Sequence, residues 1–266
     1  MTTKITMIQA QKRPGRYNIY LDGQYRFAVS EDTLLDFELR KGLELEETEI
    51  DFILQKEATN KFYNKALTYL SSQLRTEKEI VTYLSKQDAL PTQIDVTIQK
   101  LKKLKLVDDN FYARSYVRTM AKTSSKGPNV IANKLRQKGL APNDIEDGLS
   151  EYSLDDQLAN GLKLAQKLAL RYHKESFFIQ KQKINQGLIQ NGFGKVSSDI
   201  MDQLDLQEDE DAQNEALQRQ GQKIWQRNRR FDLTQRKLKT RQALYRKGFS
   251  NDEISHFLEK ISQNIE

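Results

Sequence analysis

The 266-residue chain contains no cysteine, which excludes disulfides, thiolate nucleophiles and thiolate metal sites. Its two histidines, His173 and His256, lie 83 residues apart, so any histidine-centred metal site would have to be completed by carboxylates. Both read as ordinary helix-surface residues. No run approaches the roughly 18 apolar residues of a membrane span. The opening MTTKITMIQAQKR has neither the apolar stretch nor the small-residue cleavage site of a secretory signal. A cytoplasmic chain without membrane association is the expectation. Gly187, Gly192 and Gly194 are not followed by Gly-Lys-Ser/Thr and follow no strand, which removes a phosphate-binding loop. Asp108-Asp109 and Asp155-Asp156 suit helix starts better than a cation, and Ser124-Ser125-Lys126 suits a polar loop before Gly127-Pro128. The chain is expected to be a non-enzyme, with no catalytic residues, no metal and no cofactor.

What is present is charge and helix-compatible sequence. Apolar residues make up 37% and charged residues 30%, with a mean hydropathy of −0.76. The net charge of +6 conceals blocks: residues 31–57 carry −7, and residues 61–140 hold 16 bases against six acids. Residues 199–216 hold eight acids and no base, whereas 217–249 hold 11 bases and one acid, Asp232. Two blocks of +10 point to a polyanionic partner, with the acidic stretches as competitors for the same basic surfaces.

The first 30 residues alternate apolar and polar positions. Ile5, Met7 and, less regularly, Ala10 mark the alternation in KITMIQAQ. Two further runs, 17–21 and 25–29, flank Asp22-Gly23, a strong two-residue hairpin signal. Three short antiparallel strands are expected, then a helix over 31–37 and another from about residue 46. Beyond them the pattern is helical throughout. In 66–106, Leu67, Leu70 and Leu74 fall on one face, Thr76 and Glu79 form a capping box, and Thr92 with Asp95 repeats that box more weakly.

The spacing of this stretch recurs. Leu84 is followed at +10 and +14 by Ile94 and Ile98, Leu135 by Ile145 and Leu149, and Leu244 by Ile254 and Leu258. A stretched copy runs from Leu188 to Ile200, and the four leucines lie 51, 53 and 56 residues apart. Gly139, Gly192 and Gly248 stand four residues after their leucines, where a left-handed helix end favours glycine. Leading helices are expected over 60–74, 109–123, 154–172 and 211–229. Pro128 and Pro142 suit first helical turns, and Ser153 with Asp156 and Ser250 with Glu253 are cap pairs. Residues 207–214 are either a solvated loop or a charged helix start. The expected fold is mainly α: tandem three-helix repeats, helix-turn-helix-like, stacked into an elongated, curved body behind a small N-terminal three-strand hairpin module. The boundaries are 1–57 for that module, then 58–107, 108–152, 153–207 and 208–266 for four repeats.

Candidate binding residues follow the basic blocks. Lys100, Lys102, Lys103 and Lys105 crowd one helix end, and Lys134, Arg136 and Lys138 cluster before Gly139. The last repeat adds Arg227, Arg229, Arg230, Arg236, Lys237, Lys239, Arg241, Arg246 and Lys247 beside Trp225, Phe231 and Tyr245. Arginine contacts phosphates bidentately and aromatic rings stack on bases, although Trp225 and Tyr245 also suit packing between helices. A sequence-specific repressor is disfavoured, because no helix rich in base-reading residues follows the turns.

Tyr69-Leu70, Leu74-Arg75-Thr76-Glu77, Glu79, Leu84, Leu101, Asp108-Asp109, Phe111-Tyr112-Ala113 and Tyr116-Val117 resemble the signature of RecX regulatory proteins. Lys126-Gly127-Pro128 and Leu135-Arg136-Gln137-Lys138-Gly139 continue it in order. The resemblance is strongest over 60–150, and RYNIYLDGQYRFAV is similar to the extra N-terminal region of long Gram-positive members. Asp88-Ala89 departs from the usual Lys-Gly-like turn. Short members have three repeats, which makes the fourth an addition.

The resemblance implies a cytoplasmic, non-enzymatic modulator of the RecA recombinase in recombination, DNA repair and the SOS response. Its partners would be the RecA filament and single-stranded DNA, with double-stranded DNA as a further candidate, and its expected state is a monomer. Arg75, Lys134, Arg136 and Lys138 then become candidates for filament contact, and 227–247 for contact with DNA or an acidic RecA surface. Arg75 has an ordinary explanation too, an i,i+4 pair with Glu79. A stand-alone DNA-binding protein and a helical adaptor for another protein are the competing classes.

Overall fold

The computed structural model describes residues 2–12 and 14–263. Strands β1 (Thr2–Ala10), β2 (Arg16–Leu21) and β3 (Gln24–Ser30) form an antiparallel meander. Asp22 and Gly23 take φ of 50° and 88°, the positive values that a two-residue turn matched to strand twist requires. Helix α1 (Glu31–Asp36) follows, N-capped by the Ser30 hydroxyl. A fourth strand, β4 (Glu44–Glu46), pairs with residues 2–4 and gives the sheet order β3-β2-β1-β4. Three residues are too few to show a period-two pattern, which is why the sequence suggests only three strands. The pairing of β1 with β2 shifts between Ile5 and Met7, a bulge that adds one residue to β1. The added residue reverses parity. Ile5 is fully buried, Met7 is left exposed, and Ile8 packs against the core in its place.

Helix α2 (Glu47–Leu70) is one continuous helix of 24 residues, not one near 46 followed by another over 60–74. It ends before Leu74, which is exposed and shares no face with Leu67 and Leu70. Ile50 and Ile53 of α2 close the sheet over Ile5, Ile19, Phe27 and Val29. Glu57 is the exception in this apolar layer. A buried carboxylate is tolerated only when paired and hydrogen-bonded. Glu57 accepts from Arg16 Nη1 at 2.6 Å, from the Ser30 N–H at 2.8 Å and from the Ser30 hydroxyl at 2.9 Å. One side chain of α2 thus holds β2, the end of β3 and the cap of α1.

The first three-helix segment is completed by α3 (Glu77–Ser85) and α4 (Pro91–Lys103). The second holds α5 (Asp109–Thr123), α6 (Pro128–Gln137) and α7 (Pro142–Leu149), and the third α8 (Leu154–Tyr172), α9 (Phe177–Gln190) and α10 (Ser197–Leu204). The last holds α11 (Glu210–Arg227), α12 (Leu233–Tyr245) and α13 (Asn251–Gln263). With 13 α-helices among the described residues, the fold is mainly α behind a small N-terminal sheet. The chain divides into two compact units, Met1–Ala113 with Arg136–Asp144, and Arg114–Leu135 with Ile145–Glu266.

Within each segment the repeating leucine, Leu84, Leu135, Leu188 or Leu244, is fully buried. Four residues later the backbone turns left-handed: φ is 61° at Asp88, 90° at Gly139, 95° at Gly192 and 81° at Gly248. Asp88 fills the position because aspartate tolerates this region better than most side chains. Ser153 and Ser250 cap α8 and α13 as their spacing predicts. Thr92 does not cap α4. Pro91 opens that helix, and Gln93 Oε1 accepts from the Leu90 N–H at 2.9 Å. The stretch 207–214 is both loop and helix start, with the Asp209 carboxylate accepting from the N–H groups of Asp211 and Ala212.

Each segment is tied to the next by one recurrent joint. The Thr76 hydroxyl accepts from the Glu79 N–H of its own helix and donates to the Lys138 carbonyl, 3.0 Å away, just before left-handed Gly139. The Ser176 hydroxyl does the same for the Lys247 carbonyl at 2.5 Å, just before Gly248. No hydroxyl stands at the middle joint. There the Gly127 N–H donates to the Asn191 carbonyl at 2.7 Å, and the Asn129 N–H to the Gly192 carbonyl at 3.2 Å. The outer joints carry a second bond each: the Glu77 N–H donates to Asp109 Oδ1 and the Phe177 N–H to Gln213 Oε1, both at 2.9 Å. Burial, with the neighbouring charges of Glu77 and Asp144, holds the Asp109 carboxyl above its ordinary range.

The middle joint brings backbone against backbone. A methyl at Gly127 would sit 2.7 Å from the Phe193 nitrogen, whereas one at Gly194 would have no neighbour nearer than 3.9 Å. Gly127→Ala is therefore expected to destabilise the chain by about 2 kcal/mol or more, as overpacking does, and Gly194→Ala to change stability by no more than about 0.5 kcal/mol. Urea unfolding of the two variants side by side checks this; equal midpoints would show that the joint yields to a methyl group.

Candidate nucleic-acid interface

Several cations of the first basic block serve the joints. Lys138 Nζ donates to Glu79 Oε1 at 2.6 Å and lies 5.3 Å from the centre of the Tyr112 ring. Burial opposes the charge on both partners, yet their bond and the Thr76 N–H prevail. The Glu79 carboxyl is held below its ordinary range and the Lys138 ammonium above its own. Glu79 is thus paired with Lys138 and not with Arg75, which precedes helix α3 and whose guanidinium lies over the Tyr69 ring, 4.1 Å from its centre. Tyr69 stacks in turn on Tyr83, at 4.2 Å and 7°. Lys102 forms an ion pair with Glu77 at 2.5 Å, and Lys100 covers the Tyr63 ring. Lys103, Lys134 and Arg136 are exposed.

The second basic block is also divided. Trp225 is a core residue, capped by the Arg236 guanidinium, which lies 4.0 Å from its ring and donates through Nε to its carbonyl at 3.1 Å. Phe231 is flanked by Arg230 and Lys239, at 4.9 and 4.6 Å from its ring. Arg241 donates to the Ser255 hydroxyl and Arg246 to the Gln242 carbonyl, while Lys237 is half-buried. Tyr245 is 62% exposed, so it does not pack between helices. Arg227, Arg229, Arg230 and Lys247 remain exposed.

Arg227 and Lys247 line a cleft of about 750 Å³ with Arg171, Lys174, Arg219 and Lys223. The third joint builds it. Ser176 and Phe177 fix the turn after α8 against the last segment. Gln220 Nε2 donates to the Lys174 carbonyl at 3.3 Å, and Arg219 Nη2 reaches the same carbonyl. On α11, Arg219, Lys223 and Arg227 recur every four residues and so form one stripe. Among the described residues Glu175 is the one acid in the lining, and Lys183 pairs with it at 2.5 Å. That bond, outweighing burial and helped by the charge of Lys247, holds the Glu175 carboxyl below its ordinary range. None of the acids of 199–216 lines the cleft. Arg171, Lys174, Arg219 and Lys223 escape the sequence reading. The four-residue stripe was a usable signal for two of them; Arg171 and Lys174 arrive only through the joint.

A small sheet followed by tandem three-helix segments defines a helical-repeat protein. Comparison with known proteins narrows the class. The model of the regulatory protein RecX N-terminal domain matches residues 3–46. Those of the first, second and third RecX three-helix domains match 63–101, 108–149 and 211–258. The chain is 46% identical over 98% of its length to the regulatory protein RecX of Levilactobacillus brevis, covering 99% of that protein. It is 42% identical over 96% of its length to that of Limosilactobacillus reuteri, covering 97% of that protein. A crystal structure of regulatory protein RecX superposes with a TM-score of 0.70 at 43% identity, over 76% of this chain and 99% of the other. One of RecX from Lactobacillus salivarius gives 0.55 at 43%, over 57% and 99%. The chain belongs to the RecX regulatory protein family, which is not a known enzyme family. The third-domain model falls on the last helical segment. The matched ranges leave residues 150–210, the third of the four helical segments, outside them. Among the described residues no helix is long and apolar enough to cross a membrane.

The Glu79–Lys138 pair has a definite pH signature. Because the folded-state pKa of Glu79 is lowered from 4.5, the unfolded chain binds more protons in acid. The pair's stabilisation is present above about pH 4.5 and is lost as pH falls through the lower folded value. Glu79→Gln should cost roughly 1.5–3 kcal/mol at neutral pH and flatten the acid limb of the stability curve below pH 4.5. Urea midpoints between pH 3 and 7 test it, and a parallel shift at every pH would remove the pair from the account.

Proposed function

We propose that this chain is a regulator of the RecA recombinase, binding the recombinase–single-stranded DNA filament in the cytoplasm and restraining filament growth, ATP hydrolysis and strand exchange. The observation that carries the reading is the relationship to RecX regulatory proteins along almost the whole chain, strand module included. The surface chemistry supports it. A filament on DNA is polyanionic, and the cations left exposed after the joints are made, among them Lys103, Lys134, Arg227, Arg229 and Arg230, suit such a surface. Lys102, Lys138 and Arg236 already have partners inside the protein and contribute less to contact.

The basic cleft favours a second reading, a DNA-binding protein that acts without a recombinase. The two differ in one measurement. Titrated at substoichiometric amounts into RecA hydrolysing ATP on single-stranded DNA, the chain is expected to lower the steady rate and shorten filaments. An unchanged rate and filament length, alongside intact DNA binding, would overturn the first reading in favour of the second.

A further inference from the structure

The cleft between the end of α8, the α11 stripe and the turn before α13 presents Arg171, Lys174, Arg219, Lys223, Arg227 and Lys247 to one volume of about 750 Å³. Its remaining lining is Gln220, Ile224 and the Glu175 carboxylate, which Lys183 neutralises. No aromatic side chain lines it. Donors without a stacking platform recognise phosphate oxygens and leave bases unread. Successive cations of the stripe rise about 6 Å along the helix, the scale of one nucleotide step on an extended strand. The volume is on the scale of a short length of one strand. We propose that this cleft is a sequence-neutral site for the sugar–phosphate backbone of single-stranded DNA, holding consecutive phosphates while their bases face outward. A strand held in this way keeps its bases available to another protein. The proposal deepens the reading above and rests on it for the choice of DNA as the polyanion.

The test omits the recombinase, so its failure and the failure of the regulatory reading are separable. Fluorescence anisotropy of a labelled oligothymidylate of about 20 nucleotides is followed while the full chain is titrated at several salt concentrations. Replacing Lys174, Lys223, Arg227 and Lys247 together by Gln should weaken binding at least about tenfold and lower the salt slope by about three, at ~0.7 per phosphate contact on a single strand. Oligoadenylate and oligothymidylate should bind the unaltered chain within about threefold of each other. Unchanged affinity and slope in the variant would overturn the site, and a strong preference between the two oligonucleotides would overturn the backbone-only reading. Lysine acylation of the unaltered chain guards against misfolding of the variant. Lys174, Lys223 and Lys247 should be protected by the oligonucleotide while the exposed Lys41 stays reactive; equal reactivity at all four would refute the proposal.

Discussion

A main-chain carbonyl placed just before a left-handed residue is what the helical part of this protein depends on. A helix that ends by turning left-handed aims its last carbonyls away from its own axis. In three places such a carbonyl, of Lys138, Asn191 or Lys247, receives a donor from the start of the middle helix of the preceding segment. Each bond has a net worth of only about 1 kcal/mol. The geometry it imposes is worth more, because it fixes which side chains of one segment meet the next. The glycine that follows answers two demands at once. Gly248 supplies the positive φ, and a methyl on it would come within 2.8 Å of the Ser176 hydroxyl oxygen that makes the bond.

The same joint sorts the charges. Arg75-Thr76-Glu77, the triplet at the centre of the family resemblance, is the first joint: Arg75 covers Tyr69, Thr76 bridges, and Glu77 meets Asp109 through its N–H and Lys102 through its carboxylate. Half-buried pairs such as Glu79–Lys138 cannot be surrendered to an incoming phosphate without exposing an uncompensated charge, which costs more than a surface contact returns. Exposed cations such as Lys103 and Lys134 lie outside these pairs and carry no such obligation. Counting lysines and arginines along 100–138 therefore includes cations already held by partners within the protein, Lys102 and Lys138 among them.

Much of the fold is legible in the sequence because it rests on local chemistry. The +10 and +14 apolar spacing, the left-handed position four residues after each leucine, the Asp22-Gly23 turn and the serine caps all follow from single-residue conformational preferences. The failures have a common cause: each depends on a partner distant in the chain. The bulge after Ile5 exists because β1 pairs with β2 in a shifted register, and it exchanges Met7 for Ile8 at the core. β4 is a strand only because residues 2–4 offer it an edge. Arg236 belongs to Trp225, and Arg171 and Lys174 belong to the cleft, through contacts that no local pattern encodes.

The cleft draws on residues inside and outside the matched domains. Arg171, Lys174 and the joint residue Ser176 lie within 150–210, outside the matched domains, whereas Arg219, Lys223, Arg227 and Lys247 lie inside the third-domain match. Neither group makes a cleft alone. The α11 stripe by itself is an exposed helix face, where each cation is fully hydrated and screened within about 8 Å at physiological salt. Setting the turn after α8 against that stripe adds two more cations and a second wall, and it excludes part of the water that would weaken them. The outer joint, through Ser176 and Gln213, holds the two walls of the cleft together by two hydrogen bonds. The segment outside the matched domains thus supplies the wall against which the row of charges on α11 forms one cleft.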